Sequence, residues 1–166
     1  MNNTIYVRHA LTEYSIKNIF AGRKDIPIID IDLLRMSNSF DLVTRLKPKI
    51  LIHSPLIRAK QTADLFMDKF DFHSVFSEPL LIERDFGNLE GKEKTKKNRQ
   101  ELEFNTTVEP IIVFQNRINT FIEKYKYKDK GLLIIGHSAF YRNLISIHQI
   151  KSKKYLQCCE SVSIKL

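Results

Sequence analysis

Two histidines, two arginines and a glutamate stand at or just beyond the ends of short apolar runs. Ile5-Tyr6-Val7 leads into Arg8-His9, Leu80-Leu81-Ile82 into Glu83, and Leu132-Leu133-Ile134-Ile135 into Gly136-His137; Ile50-Leu51-Ile52 leads into His53-Ser54-Pro55, with Arg58 close behind. A histidine in a field of positive charge has its cationic form disfavoured, so His9 is expected neutral and nucleophilic near pH 7. If one ring nitrogen donates to a backbone carbonyl, the other keeps its lone pair. Planar guanidinium groups form paired, charge-assisted hydrogen bonds with phosphoryl oxygens, which suits Arg8 and Arg58. His137 adds a further polar contact for charge developing on those oxygens. Glu83 is the candidate to protonate a leaving alcohol and later to activate water. Each residue taken alone is ordinarily structural or solvated; their joint occurrence at successive run ends is what points to anion chemistry.

The runs themselves are continuous rather than alternating, as in strands buried on both faces, and the segments Leu56 to Phe70 and Val108 to Tyr125 carry helical spacing. Strands alternating with helices predict an α/β layer fold with a mostly parallel sheet, in which ligands bind beyond the carboxyl ends of the strands. Ser54-Pro55 reads as a helix start with Ser54 as N-cap, placing Arg58 in the first turn beside free N–H groups; Ser138 is a weaker cap candidate. Ser161 to Leu166 alternates polar and apolar, predicting an edge strand. Residues 92–107, which include Lys92-Glu93-Lys94-Thr95-Lys96-Lys97, read as a mobile lysine-rich loop or lid within one domain spanning 1–166.

Composition narrows the classes. The 166 residues, 43% hydrophobic and 28% charged, match an ordinary soluble domain with no apolar run long enough for a membrane span. The opening Met1-Asn2-Asn3-Thr4 shows no basic leader or hydrophobic signal core, so the expected location is cytoplasmic. Cys158 and Cys159 are neighbours, which suits neither a disulfide nor a zinc site, and no metal or organic cofactor is expected. The net charge of +8 would attract any anion, but interleaved aromatic or glycine patterns of RNA-binding modules are missing, so neither nucleic acid nor membrane is the expected partner. Oligomeric state is not readable, and His53, His73 and His148 are assigned to structure.

Arg8-His9-Ala10-Leu11-Thr12, followed by Gly22-Arg23-Lys24-Asp25-Ile26-Pro27-Ile28, resembles the opening of the histidine phosphatase superfamily, also called phosphoglycerate mutase-like. Ser54-Pro55-Leu56-Ile57-Arg58-Ala59-Lys60-Gln61-Thr62-Ala63 is similar to the family's arginine-bearing helix start, Glu83 to Gly91 to its acid-bearing segment, and Gly136-His137-Ser138 to the segment of its second histidine. The four pieces occur in family order. The resemblance implies a three-layer α/β/α sandwich, a phosphohistidine at His9, phosphate clamping by Arg8, Arg58 and His137, and proton transfer by Glu83. It places Thr12, Ser15, Arg23 and Ser138 along the substrate pocket. Ala10 and Ser138 stand where glycine is usual, and Ser15 where asparagine is common.

The activity so implied is a metal-independent phosphomonoesterase acting on a small phosphorylated metabolite, with inorganic phosphate as product. The connection between Gly91 and Val108 is short, which leaves water access to a phosphoenzyme and favours hydrolysis over transfer. The alternatives are a phosphoglycerate-type mutase and a non-catalytic phospholigand-binding relative.

Overall fold

The computed structural model describes residues 4–126 and 131–166. Five strands form one sheet: β1 (Thr4–Arg8), β2 (Ile50–His53), β3 (Ser74–Ser77), β4 (Leu132–Gly136) and β5 (Ser161–Ile164), in the order β3-β2-β4-β1-β5. All neighbours are parallel except β5, which runs antiparallel to β1 at the edge. Among the described residues there are six α-helices: α1 (Glu13–Ile16), α2 (Leu33–Leu46), α3 (Ile57–Met67), α4 (Lys96–Glu101), α5 (Ile111–Tyr125) and α6 (Ser138–Ile147).

Successive side chains of a strand point to opposite faces, and here the two faces feed two cores. Ile5, Val7, Leu51, Leu133 and Ile135 pack with Met36 and Val43 of α2 and with Ala59, Ala63 and Phe66 of α3. Tyr6, Ile52, Leu132 and Ile134 pack with Phe114, Ile118 and Phe121 of α5 and with Phe140 and Leu144 of α6. The architecture is a three-layer α/β/α sandwich around a mostly parallel sheet, as expected. The central strands need continuous apolar runs because helices cover both of their faces.

The expected strand at Leu80–Ile82 is not a strand. Pro79 opens a 3-10 turn over Pro79–Leu81, and the Glu78 carboxylate accepts the Leu80 N–H at 3.0 Å. Proline has no N–H for a ladder and fits the first position of a helical turn. The fifth ladder member is instead Ser74–Ser77, paired to β2, whose Val75 and Phe76 lie exposed at the sheet edge. Residues 92–107, expected as a loop, contain α4, capped by the Thr95 side chain; Glu93 bridges back to Ile19.

Candidate active site

β1 and β4 lie side by side with Arg8 in register with Gly136, so the residues that follow them, His9 and His137, emerge together. Their ring centroids are 5.3 Å apart. His9 Nδ1 lies 2.7 Å from the Ala10 carbonyl oxygen. A carbonyl only accepts, so Nδ1 carries the hydrogen and Nε2 keeps its lone pair. Burial, then the charges of Arg58 and Arg8, hold the His9 pKa well below its usual value. Burial and the same arginines do so for His137, with His9 adding to the effect. Both imidazoles are therefore neutral near pH 7.

His137 is completely buried. Its backbone N–H donates to the Tyr6 hydroxyl at 2.9 Å, and that hydroxyl donates back to its carbonyl at 3.0 Å. The ring Nε2 sits 2.7 Å from Ser54 Oγ, which also lies 3.4 Å from the Leu56 N–H. A Ser54 hydroxyl that accepts from Leu56 and donates to Nε2 leaves the hydrogen of the neutral ring on Nδ1. The helix expected to start on Ser54 begins at Ile57, with Leu56 as an N-cap making no side-chain bond, so Ser54 serves the histidine rather than the helix.

Arg58 projects from the first turn of α3 and is 1% exposed. Its two terminal nitrogens donate to the Lys24 and Gly22 carbonyls at 2.7 and 2.8 Å, which ties it to the segment carrying Gly22-Arg23. The helix end is not open for an anion as expected, because Asp25 Oδ1 accepts the Ile57 N–H at 2.6 Å. Arg8 donates from Nη1 to the Leu156 carbonyl at 2.8 Å. Among the described residues, the buried side-chain nitrogens and oxygens without a partner are Arg8 Nε, Arg58 Nε and His137 Nδ1. Such groups are costly to bury unpaired, and all three belong to the cluster around His9.

Glu83 lies at the N-terminus of α6. Its Oε2 accepts from the Ala139 N–H at 3.0 Å, and Oε1 accepts from those of Phe140 at 3.1 Å and Arg84 at 3.0 Å. The carboxylate thus serves helix donors that would otherwise be orphaned. Behind it, Arg117 donates to the carbonyls of Leu80 (2.9 Å), Ile82 and Glu83 (3.4 Å) while ion-pairing with Glu109 at 2.9 Å.

Arg8, His9, Arg58, Glu83, Thr12, Ser15 and Ser138 line one inner pocket, with the buried His137 ring beside His9. Thr12 and Ser15 form a reciprocal capping box on α1, which settles the hydrogen bonding of Ser15. Ser138 is the first residue of α6; His137, not Ser138, is its N-cap. Ala10 sits fully buried against the α2/α3 face with its N–H on Thr62 Oγ1 at 2.9 Å, so its methyl is packed away in the core. Arg23 is not brought to the pocket lining: its guanidinium pairs with Glu109 at 3.3 Å and Asp85 at 3.7 Å. His53 bonds the Ser54 carbonyl at 2.9 Å, while His73 and His148 are exposed. Among the described residues no cluster of three or more metal-ligating side chains occurs, and no helix is long and apolar enough to cross a membrane.

Sequence reasoning missed Lys94. It lies within the lysine run yet lines the pocket beside Glu83 and Arg8, with Nζ 5.8 Å from the Phe20 ring centroid. Burial, then the charge of Arg8, lowers its pKa to about 8. Its spacing from Glu83 on the far side of the turn at Gly91 was the available signal. Beyond it the inner pocket opens into a cleft of about 880 Å³.

The chain has relatives among known proteins and solved structures. The chain is 32% identical to phosphoglycerate mutase 1 of Saccharomyces cerevisiae over 146 residues, covering 80% of this chain and 59% of that protein. It is 26% identical to the uncharacterized phosphatase PhoE of Bacillus subtilis over 151 residues, covering 88% and 77% respectively. The alpha-ribazole phosphatase structure from Shigella flexneri superposes with a TM-score of 0.77 at 19% identity over 99% of this chain and 90% of that one, a likeness of fold. The phosphoglycerate mutase structure from Thermus thermophilus gives a TM-score of 0.73 at 21% identity, covering 97% and 91%. The chain thus spans about three-fifths of the yeast mutase it matches, but most of the other relatives just named. The family model for the histidine phosphatase superfamily (branch 1) matches residues 4–159, which contain every element that meets at the His9 pocket, and the chain belongs to that superfamily.

Proposed function

We propose that the protein is a metal-independent phosphomonoesterase that hydrolyses a small phosphorylated metabolite in the cytoplasm through a transient phosphohistidine at His9. The observation that carries this reading is the set of three unpartnered buried nitrogens, Arg8 Nε, Arg58 Nε and His137 Nδ1, around an imidazole whose Nε2 lone pair is free. A phosphoryl group supplies acceptor oxygens for all three donors and an electrophile for the lone pair.

In the first step His9 Nε2 bonds to phosphorus as the ester P–O bond breaks, and the leaving alkoxide takes a proton from Glu83. Oε2 is the oxygen suited to carry that proton, since it accepts one N–H bond whereas Oε1 accepts two. Arg8, Arg58 and His137 stabilise charge on the equatorial oxygens in flight. In the second step the Glu83 carboxylate takes a proton from water as its oxygen attacks phosphorus, the N–P bond breaks, and neutral His9 and inorganic phosphate are restored. Hydrolysis is favoured over transfer because the connection between Gly91 and Val108 holds only the six-residue α4, which leaves the cleft open to water.

The test is rapid quenching during turnover of a 32P-labelled aryl phosphate. An acid-labile, base-stable adduct on the protein, absent in His9→Ala, is the expected result, with turnover indifferent to chelators; activity surviving His9→Ala would refute the proposal. The mutase names among the relatives motivate one second reading, transfer primed by a bisphosphorylated sugar acid. Release of inorganic phosphate without transfer excludes it.

A further inference from the structure

Arg23, expected along the pocket, instead directs its guanidinium to Glu109 at 3.3 Å and to Asp85 at 3.7 Å. The mechanism gives Glu109 no task, although its side chain is only 7% exposed. A second arginine meets it from the other side: Arg117 Nη2 donates to Oε2 at 2.9 Å and to Oε1 at 3.1 Å. Oε2 also accepts the Asp85 N–H at 3.1 Å. A carboxylate so enclosed is costly unless it is paired, and here two guanidinium groups and one amide pair it.

These partners come from two walls of the pocket. Arg23 sits between Gly22 and Lys24, whose carbonyls receive the two terminal nitrogens of Arg58. Arg117 reaches the carbonyls of Leu80 at 2.9 Å and Glu83 at 3.4 Å, and Asp85 follows Glu83 by two residues. The main chain repeats the connection: the Glu109 N–H donates to the Asp85 carbonyl at 2.9 Å, and the Glu109 carbonyl accepts from Arg84 Nε at 2.9 Å. Glu90 also joins the two segments, accepting the N–H groups of Arg23 at 2.8 Å and Phe86 at 3.2 Å. Glu109 goes further, since it alone of the two carboxylates grips the arginine behind the acid. Neither Arg23 nor Glu109 lines the inner pocket, so both act through other residues.

We infer that Glu109 is a positioning residue that, through Arg23 on one side and Arg117 on the other, keeps the segment bearing Glu83 in register with the segment anchoring Arg58. This rests on the phosphatase reading above, in which Glu83 protonates the leaving alkoxide, and deepens it. Proton transfer requires hydrogen-bond reach, and a misplacement of about 1 Å costs on the order of 100-fold. A link between clamp and acid therefore bears on rate while touching neither phosphate nor alcohol.

The test reads leaving-group dependence. A p-nitrophenolate departs without a proton and an alkoxide needs one, so the ratio of kcat/KM for 2-phenylethyl phosphate to that for p-nitrophenyl phosphate reports the acid. Because kcat/KM covers transfer to His9 and not the later hydrolysis, the role of Glu83 as base does not enter. Glu83→Gln is expected to lower the ratio by about 100-fold or more. Glu109→Gln should lower it by about 10- to 30-fold while p-nitrophenyl phosphate stays within about threefold of wild type, and should lower it no further in the Glu83→Gln background. Arg23→Gln alters a side chain that is 39% exposed, so the protein folds, and should lower the ratio about threefold. A loss shared equally by both esters in Glu109→Gln overturns the inference, as does a wild-type ratio in Arg23→Gln. If Glu109→Gln does not fold, the Arg23→Gln ratio decides alone. A ratio unmoved in Glu83→Gln sinks the reading on which the inference rests, whereas a ratio that falls there and holds in the other two variants sinks the inference alone.

Discussion

Replacing Ser54 by alanine removes one hydroxyl and tests how His137 is held ready. Ser54 and His137 are both completely buried and 2.7 Å apart, so no water replaces the lost partner at Nε2. A buried ring nitrogen left unpaired costs about 1–3 kcal/mol. At this chain length each kcal/mol lowers Tm by about 2–4 °C, so a loss of roughly 2 kcal/mol corresponds to about 4–8 °C. The larger effect falls on catalysis. A Ser54 hydroxyl that donates to Nε2 holds the hydrogen of the neutral ring on Nδ1, the unpartnered atom; without it, the ring is free to carry the hydrogen on Nε2 and lose its donor to the oxyanion. Removing an oxyanion donor outright costs about 100- to 1,000-fold in kcat. A tautomer penalty that the ring can partly overcome lowers this to about 10- to 100-fold, expressed in kcat rather than KM. Steady-state hydrolysis of p-nitrophenyl phosphate gives the split, and 15N shifts of the His137 ring report the tautomer. A variant within twofold of wild type, with Nδ1 still protonated, would refute the reasoning.

Three further outcomes follow from the same site. Because protonated His9 is not a nucleophile and its pKa lies well below the usual value through burial, Arg58 and Arg8, the acid limb of kcat/KM should fall below pH 6.5; a limb at or above that value contradicts the burial argument. The unfolded chain binds protons at His9 and His137 below about pH 6.5 while the folded chain does not, so stability should drop as pH falls through that region, by about 1.4 kcal/mol per unit for each histidine until its folded-state pKa is reached; urea melts at pH 7 and pH 5 measure it. Gly136→Ala would place a Cβ 2.1 Å from the Tyr6 hydroxyl and 2.7 Å from its ring, displacing the group that holds the His137 backbone; a loss of about 2–4 kcal/mol and of most activity is expected, and wild-type melting would show that the ring can step aside freely.

Much of the site was legible because the central strands announce themselves. Thr4–Arg8 and Leu132–Gly136 are apolar runs flanked on both faces by helices, and a run with that requirement has to stop where the sheet stops, which is why Arg8-His9 and Gly136-His137 could be placed at one rim. Glu83 was found although its strand was not. The run before it is apolar because Leu81 is buried in the core against α5, a demand that a 3-10 turn meets as well as a strand does. The true edge strand Ser74–Ser77 was silent, since only one side of it meets a ladder and its apolar residues face outward. Lys94, Arg23 and Ser54 were misread for another reason. What decides each is a partner far away in the chain: Phe20 for Lys94, Glu109 for Arg23 and His137 for Ser54.

The two ends of the reaction are carried by unlike mounts. His9 follows a strand laddered on both sides, by β4 and β5, whereas Glu83 rides on irregular chain braced from behind by Arg117 and clasped by the first N–H groups of α6. Shifting the proposed nucleophile would shear three strands, but re-seating the proposed acid disturbs only that brace and one helix end. Tuning for bulkier or smaller leaving alcohols therefore has a route through position 117 and its carbonyl partners that leaves the strands beneath His9 undisturbed.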